Sequence, residues 1–304
     1  MTRVAAIDCG TNSIRLLVTD LDADTGTADD QVRQMEIVRL GYGVDRTGRL
    51  DVRALERTFA ACEDYARVIA ELGAERVRFV ATSATRDADN ADVFADGVRE
   101  RLGVGPDVVT GSEEAALSFA GAARDLPGVA QPVLVVDLGG GSTELILGED
   151  GVAGAEQSLD IGSVRMTERH LRSDPPTAAE IVECAADVDA VLDASTVDVA
   201  QARTVVGVAG TITTVAAHVL GLEEYDSTRI HHAQLPVADV LASCDAILAA
   251  SVEERRSWSF MHPGRADVIG GGAVILSRLL ARTTPDALVV SEHDILDGIA
   301  WSLV

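Results

Sequence analysis

Apolar residues recur along this chain in two rhythms, and the order of the rhythms repeats. Short apolar runs near 3–9, 14–20 and 35–40 predict three strands. The segment 51–72 then sets Leu55, Phe59, Cys62, Ala66 and Ile69 on one face at helical spacing, with Gly73 as its stop. A strand at 77–81, a helix near 90–102, a strand at 107–110 and a helix over 112–124 complete the first half. The second half predicts strands at 132–137, 143–148 and 152–160, a long helix near 177–194, a strand at 203–209 and a helix from Thr211. A strand at 286–290 and a closing helix at 293–303 end it. Both halves read βββαβαβα, and the second carries a mostly helical insertion at about 220–285. Repetition on this scale predicts a duplicated α/β fold of two lobes, 1–127 and 128–304. The stretch "DLPGVAQP", 125–132, marks the hinge by its Pro and Gly content.

The repeat extends to single residues. When "DCGTNSIRLLV" is laid on "DLGGGSTELIL", Asp8 falls on Asp137, Gly10 on Gly139, Asn12 on Gly141 and Ser13 on Ser142. Three consecutive glycines weaken strands and helices alike, because glycine loses the most backbone freedom on ordering. Their presence implies that something approaches the backbone closely. A Walker loop requires a lysine after its last glycine, and the sequence contains no lysine. A dinucleotide fingerprint requires a helix after the glycines, where this sequence continues as a strand. What remains is a strand–turn–strand hairpin whose tip presents N–H groups and small hydroxyls to an anion. Two such tips in register, each led by an aspartate closing an apolar strand, signal the phosphate-binding pair of the actin-like, sugar-kinase and Hsp70-like fold. In that arrangement the two lobes flank a cleft, with the Asp8 and Asp137 turns on its opposite lips.

Charge narrows the function. The formal net charge is −24, and all 25 basic residues other than histidine are arginines. Nucleic-acid binding depends on a basic face, so the balance argues against it. An anionic substrate must then be held by local devices rather than by the field of the whole protein. No apolar run reaches the ~18 residues of a membrane span. Asp8 and Arg15 interrupt the apolar core a signal peptide would need. Four scattered cysteines, Cys9, Cys62, Cys184 and Cys244, fit a reducing cytoplasm better than a disulfide framework or a zinc site.

Further clusters carry candidate chemistry. In "GVAGTITTVAA" a strand breaks at Gly210 and restarts as a helix at Thr211, whose free N–H groups make either an anion site or an ordinary turn. "ATSATRDADN" puts Arg86 at the carboxyl end of a strand, where its planar fork suits phosphate oxygens. "VTGSEEAAL" starts a helix with Glu113 and Glu114 in the first turn. Acids there complement the helix dipole, and the same dipole keeps a carboxylate ionised, as a base for water requires. Arg165 and Arg265 are further sources of positive charge, and Gly270–Gly272 is either a close-approach point or a tightly packed helix start. His231, His232, His293 and Asp294 lack ligand-spaced partners and read as solvent-facing or structural.

Taken together, "AIDCGTNS", "ATSATRDA", "TGSEEA", "DLGGGSTE", "GSVRMTE", "GVAGTITT" and "HPGRADVI" resemble the exopolyphosphatase / guanosine pentaphosphate phosphohydrolase (Ppx/GppA) family, in family order along almost the whole chain. The resemblance implies a duplicated actin-like (RNase H-like) ATPase fold. It also implies hydrolysis of the terminal phosphoanhydride of inorganic polyphosphate, or of pppGpp, with magnesium or alternatively manganese. By motif, Glu114 resembles the base that deprotonates water, and Arg86 the arginine on the terminal phosphoryl group. Asp137 and Glu144, with Asp8, resemble the metal acids. Gly139, Gly140, Gly141 and Ser142, with Thr11, Asn12 and Ser13, resemble the phosphate cradle, which Gly210 and Thr211 extend. Cys9 stands where the family commonly has an aliphatic residue and should point into packing. Larger relatives continue past the equivalent of Val304 into an HD-like domain and a further module that build a basic channel. That difference, with the charge, favours short polyphosphate chains. An acceptor-dependent kinase, a non-catalytic (p)ppGpp sensor and a structural actin-like protein are the competing readings. A homodimer through the inserted helices is a further expectation.

Overall fold

The computed structural model describes residues 1–304 apart from Asp125 and Pro127, so that part of the expected hinge and lobe boundary lies outside the described residues. The first repeat runs β1 (Thr2–Cys9), β2 (Ser13–Asp22), β3 (Thr27–Ile37), α1 (Val44–Thr47), α2 (Val52–Leu72), β4 (Arg76–Ala81), α3 (Ser83–Arg86), α4 (Ala91–Leu102), β5 (Asp107–Val108) and α5 (Gly111–Ala122). The second begins with β6 (Val133–Leu138), β7 (Thr143–Glu149), β8 (Val152–Leu159), α6 (Ser163–His170), α7 (Ala178–Asp193), β9 (Thr204–Val208) and α8 (Ala209–Val219). Then follow α9 (Ser227–Ile230), β10 (Gln234–Pro236), α10 (Val237–Ala249), α11 (Val252–Ser257), α12 (Ile269–Leu280), β11 (Ala287–Val290) and α13 (Ile295–Trp301).

The two sheets share one topology. The first has the order β3-β2-β1-β4-β5, and the second β10-β11-β9-β6-β7-β8. In each, the first three strands form an antiparallel meander and the later ones add in parallel to the meander's first strand. β10 is the extra strand, antiparallel on β11. The fold is the duplicated α/β architecture that the repeat anticipates.

The chain divides into two compact units, Met1–Gly121 with Ile295–Val304, and Ala122–Asp294. The closing helix therefore belongs to the first unit and not, as its place in the chain suggests, to the second. Ile295, Leu296, Ile299 and Ala300 are buried in one cluster with Val4, Ala6, Leu17, Val80 and Leu117. A Cβ at Gly298 would lie 2.0 Å from the Leu117 carbonyl oxygen, so only glycine lets α13 cross α5 this closely. Arg33 holds the helix from β3 through two bonds to the Asp297 carboxylate, at 2.5 and 3.2 Å.

Other elements follow from local chemistry. Asp51 caps α2 by accepting from the Arg53 and Ala54 amides, and Gly73 ends it in the left-handed region at φ 70°. The α7 start is a reciprocal capping box between Thr177 and Glu180, whose carboxyl is held down at about 2 by the Thr177 amide first and its other donors after. β3 differs from its expected position at 35–40. It is an exposed edge strand whose sequence "TADDQVRQMEI" buries almost nothing, so no apolar alternation marks it. The α6 helix was not anticipated in "SVRMTERH", which is short and mostly polar. Among the described residues no helix is long and apolar enough to cross a membrane.

Candidate active site

Both hairpin tips are closed by the same hydrogen bond. The Gly10 amide donates to the Ser13 carbonyl at 2.9 Å, and the Gly139 amide to the Ser142 carbonyl at 3.1 Å. In the second unit the start of α6 then seizes the tip's carbonyls. The Ser163 amide donates to Gly139 at 3.0 Å, the Val164 and Arg165 amides to Gly140 at 2.8 and 3.1 Å, and Arg165 Nε to Gly141 at 2.7 Å. A trans peptide directs its C=O and its N–H oppositely. The N–H groups of Gly140, Gly141 and Ser142 are therefore turned away from α6, as an anion cradle requires. Gly162 serves the same contact, since a Cβ there would lie 2.5 Å from the Gly140 carbonyl carbon.

The first tip uses the same device with other residues. Here the segment after β3 holds the carbonyls: the Gly41 amide donates to Thr11 at 2.8 Å, and the Val38 and Arg39 amides to Asn12 at 3.1 and 2.8 Å. The N–H groups of Asn12 and Ser13 are thereby turned outward. Arg39 sits in the left-handed region at φ 52°, a strain of order 1 kcal/mol or more that this convergence of amides sustains. This segment was missed in the sequence because nothing but its position after a third strand marks it. The Thr11 hydroxyl is engaged with Ser83 Oγ at 3.0 Å.

Also in the first unit, "SEEA" separates into two different glutamates. Glu113 is exposed and pairs with Arg78 at 2.9 Å. Glu114, one residue further round the first turn of α5, is only 6% exposed. Arg86, at the end of α3, donates through Nη1 to Glu114 Oε2 at 2.6 Å and to the Val109 carbonyl at 3.0 Å. Both bonds use Nη1, so the fork's Nη2 and Nε face elsewhere. Burial pushes the Glu114 pKa up to about 7, and Asp8 adds to the rise, while Arg86 and Thr82 oppose it. A carboxyl group poised there ionises near neutrality and suits a general base. Asp8, expected among the metal acids, is ion-paired with Arg15 across β1 and β2 at 2.6 Å.

In the second unit, Asp137 and Glu144 lie directly opposite each other in the β6/β7 ladder and share a face, 6% and 1% exposed. Ser158 Oγ donates to Glu144 Oε1 at 2.6 Å. Among the described residues no group of three or more His, Cys, Asp or Glu side chains is placed to hold a metal. Two buried carboxylates nevertheless fit magnesium, a hard cation that takes one or two protein carboxylates and completes its shell with water and substrate phosphate.

The remaining candidates resolve into support. Gly210 is bare because Arg265 lies over it, its Cζ 2.5 Å from where a Cβ would be. The glycine expected to admit phosphate thus admits a guanidinium, which donates to the Gly210 carbonyl at 3.4 Å and to Thr214 Oγ1 at 3.3 Å. Thr211 is buried, and a Cβ on Gly272 would strike its side chain. Gly271 likewise clears α12 past the Ser163 carbonyl, so this glycine run is a packing device that braces α6. His231 stacks on His232 with ring centroids 3.7 Å apart, lies tilted against His293 at 4.6 Å, and its Nδ1 accepts the Glu292 amide at 3.1 Å. Cys9 points into the core beside Cys62, as expected, and burial raises both thiols.

Known proteins are similar to this chain in sequence and fold. The family described as "Ppx/GppA phosphatase family" matches residues 22–304. Exopolyphosphatase 2 of Mycobacterium tuberculosis is 49% identical over 316 residues, covering 100% of this chain and 99% of its own. The guanosine-5'-triphosphate,3'-diphosphate pyrophosphatase of Vibrio atlanticus is 30% identical over 99% of this chain, which spans 59% of its length. A crystal structure of an exopolyphosphatase-like protein superposes with a TM-score of 0.95 at 48% identity, covering 99% of this chain and 97% of that one. With a family match over most of its length and a full-length relative at 49% identity, the chain belongs to the Ppx/GppA phosphatase family.

Proposed function

We propose that this protein hydrolyses the terminal phosphoanhydride of inorganic polyphosphate, acting on short chains with magnesium. The observation that carries the reading is the burial of Glu114 against Arg86, with its pKa near neutrality, while its neighbour Glu113 remains an ordinary surface acid. A glutamate that only complemented the α5 dipole would gain nothing from leaving water.

Glu114 takes a proton from a water molecule as that water's oxygen bonds to the terminal phosphorus. The bond from phosphorus to the bridging oxygen breaks, and the shortened chain departs as a phosphate anion that needs no dedicated acid. Arg86 turns its free donors to the non-bridging oxygens, where charge gathers in the transition state. The outward N–H groups of Gly140, Gly141 and Ser142 in the second unit, and those of Asn12 and Ser13 in the first, are each suited to phosphoryl oxygens. Asp137 and Glu144 would hold the magnesium, which when bound neutralises charge on the phosphate oxygens. Phosphoryl transfer asks chiefly for positioning and charge stabilisation, and these groups supply both. They also answer the −24 net charge, which would otherwise repel a polyanion. The four cysteines are free and buried, which supports a cytoplasmic setting for the activity.

The name of the Vibrio relative favours pppGpp as the second reading of the substrate. The test is phosphate release with magnesium and no acceptor, comparing short polyphosphate, long polyphosphate and pppGpp. Short chains are expected to turn over fastest. Faster release from pppGpp would transfer the substrate assignment, and release from none of them by folded protein would refute hydrolysis. Glu114→Gln should keep substrate affinity and lose ~10²–10³ in turnover.

A further inference from the structure

The first hairpin tip and the proposed base lie in the same unit, and one short helix is bonded to both. α3 has only four residues, Ser83–Arg86, yet its two ends answer to different partners. At its end, Arg86 donates to Glu114 Oε2 at 2.6 Å and to the Val109 carbonyl at 3.0 Å. At its start, Ser83 Oγ shares a hydrogen bond of 3.0 Å with Thr11 Oγ1, 72 residues away in the chain. Thr11 is 7% and Ser83 2% exposed, so water does not compete for that bond. The Thr11 residue is held at three points. Its hydroxyl meets Ser83, and its carbonyl accepts the Gly41 amide at 2.8 Å. Its methyl lies where a Cβ on Gly41 would come within 2.4 Å, and the same Cβ would stand 3.1 Å from Ala84 Cβ in α3. A β-branched side chain has little torsional freedom left once so placed. The helix is tied down in turn, because the Thr82 amide donates to the Cys9 carbonyl at 3.2 Å and the Thr82 carbonyl accepts the Thr85 and Arg86 amides at 3.1 and 3.2 Å. α3 is about one helical turn long, so a shift at Ser83 carries directly to Arg86.

We propose that Ser83 is a positioning residue for the hydrolysis: its bond to Thr11 fixes the amides of the first tip relative to the Arg86–Glu114 pair. The inference rests on Glu114 as the base of the proposed function. A phosphoryl group held by the Asn12 and Ser13 amides must lie where water activated by Glu114 can reach phosphorus. A misplacement of ~1 Å in such an arrangement costs up to ~10²-fold in rate. Breaking the link leaves the tip and the Arg86–Glu114 pair each intact but lets them drift apart. Binding at the tip should then persist while turnover falls.

The experiment measures steady-state phosphate release from short polyphosphate, together with thermal melts, on the full chain carrying Ser83→Ala, Thr11→Val or both. Valine keeps the shape of threonine without its hydroxyl. Each single variant orphans one buried hydroxyl and should lower the Tm, whereas the double removes both partners and should regain part of it. Turnover should not follow the Tm. In all three variants kcat should fall ~10-fold or more with KM within about threefold, and the double should be no worse than the singles, since they break one link. Thr11→Ser, which retains the hydroxyl, should recover most of the loss seen in Thr11→Val. The inference is overturned if both single variants keep kcat within about twofold of the parent, or if kcat in the double recovers along with its Tm, as a bond serving stability alone requires. Should a single variant not fold, the double, which orphans neither hydroxyl, decides. Parent-like turnover in Glu114→Gln would remove the base and this inference together, while an inactive Glu114→Gln beside a fully active Ser83→Ala would sink only the role of Ser83.

Discussion

Glu114→Gln tests the base through stability as well as through rate. The native Glu114 pKa is raised from 4.5 to about 7, and burial is the largest cause. Because the folded value lies above the unfolded one, the native state holds this proton more tightly. The stabilisation that results is fully present below about pH 4.5 and is lost as pH climbs through about 7. Each pKa unit corresponds to about 1.4 kcal/mol, so ionising Glu114 costs the fold on the order of 3 kcal/mol by pH 8. Glutamine is neutral at every pH and still accepts from Arg86, so the variant escapes that cost. Thermal melts at pH 5, 6, 7 and 8 should show the variant matching the parent at pH 5 and exceeding it by several degrees at pH 8, at roughly 2–4 °C per kcal/mol. The same protonation should depress the parent's turnover below about pH 7, since a protonated base accepts nothing. Parallel melting curves across the pH range, or a variant less stable at pH 8, would refute the claim that a buried, ionising carboxylate sits at this position.

Two glycines give independent checks on packing. Gly162→Ala would drive a methyl into the Gly140 and Gly141 backbone, and the displaced cradle should lower kcat/KM by ~10-fold to 10²-fold with helix content unchanged. Unaltered kinetics would show that the tip's carbonyls do not need α6. Gly298→Ala would set a methyl 2.0 Å from the Leu117 carbonyl oxygen, and the overpacking should cost about 1–3 kcal/mol, seen as a lower Tm. An unchanged Tm would mean that α13 does not depend on this close crossing.

Much of this was legible because it depends on near neighbours in the chain. The α2 helix shows itself by spacing and caps, β1 and β6 by apolar runs, and the twin tips by Asp-x-Gly turns in register. β3 was misplaced because an exposed edge strand needs no burial pattern. The α13 helix was assigned to the wrong unit because an apolar face says that it must be buried and not where. Gly210 and Gly270–Gly272 show the same limit. A glycine announces that something comes close, but only packing shows that the neighbour is Arg265 or the start of α6 rather than a ligand.

The site divides along that line. By itself the sequence determined that two hairpins would present backbone N–H groups, that acids would stand at their strand ends, and that an arginine would close one strand and a pair of glutamates open one helix. Those features follow from local backbone geometry and residue type. Only the tertiary structure decided that Glu114 is dehydrated while Glu113 is not, that Asp8 is matched by Arg15, and that Asp137 faces Glu144. Burial and charge are sums over groups distant in sequence, and they take their values only after the strands have paired and the helices have packed.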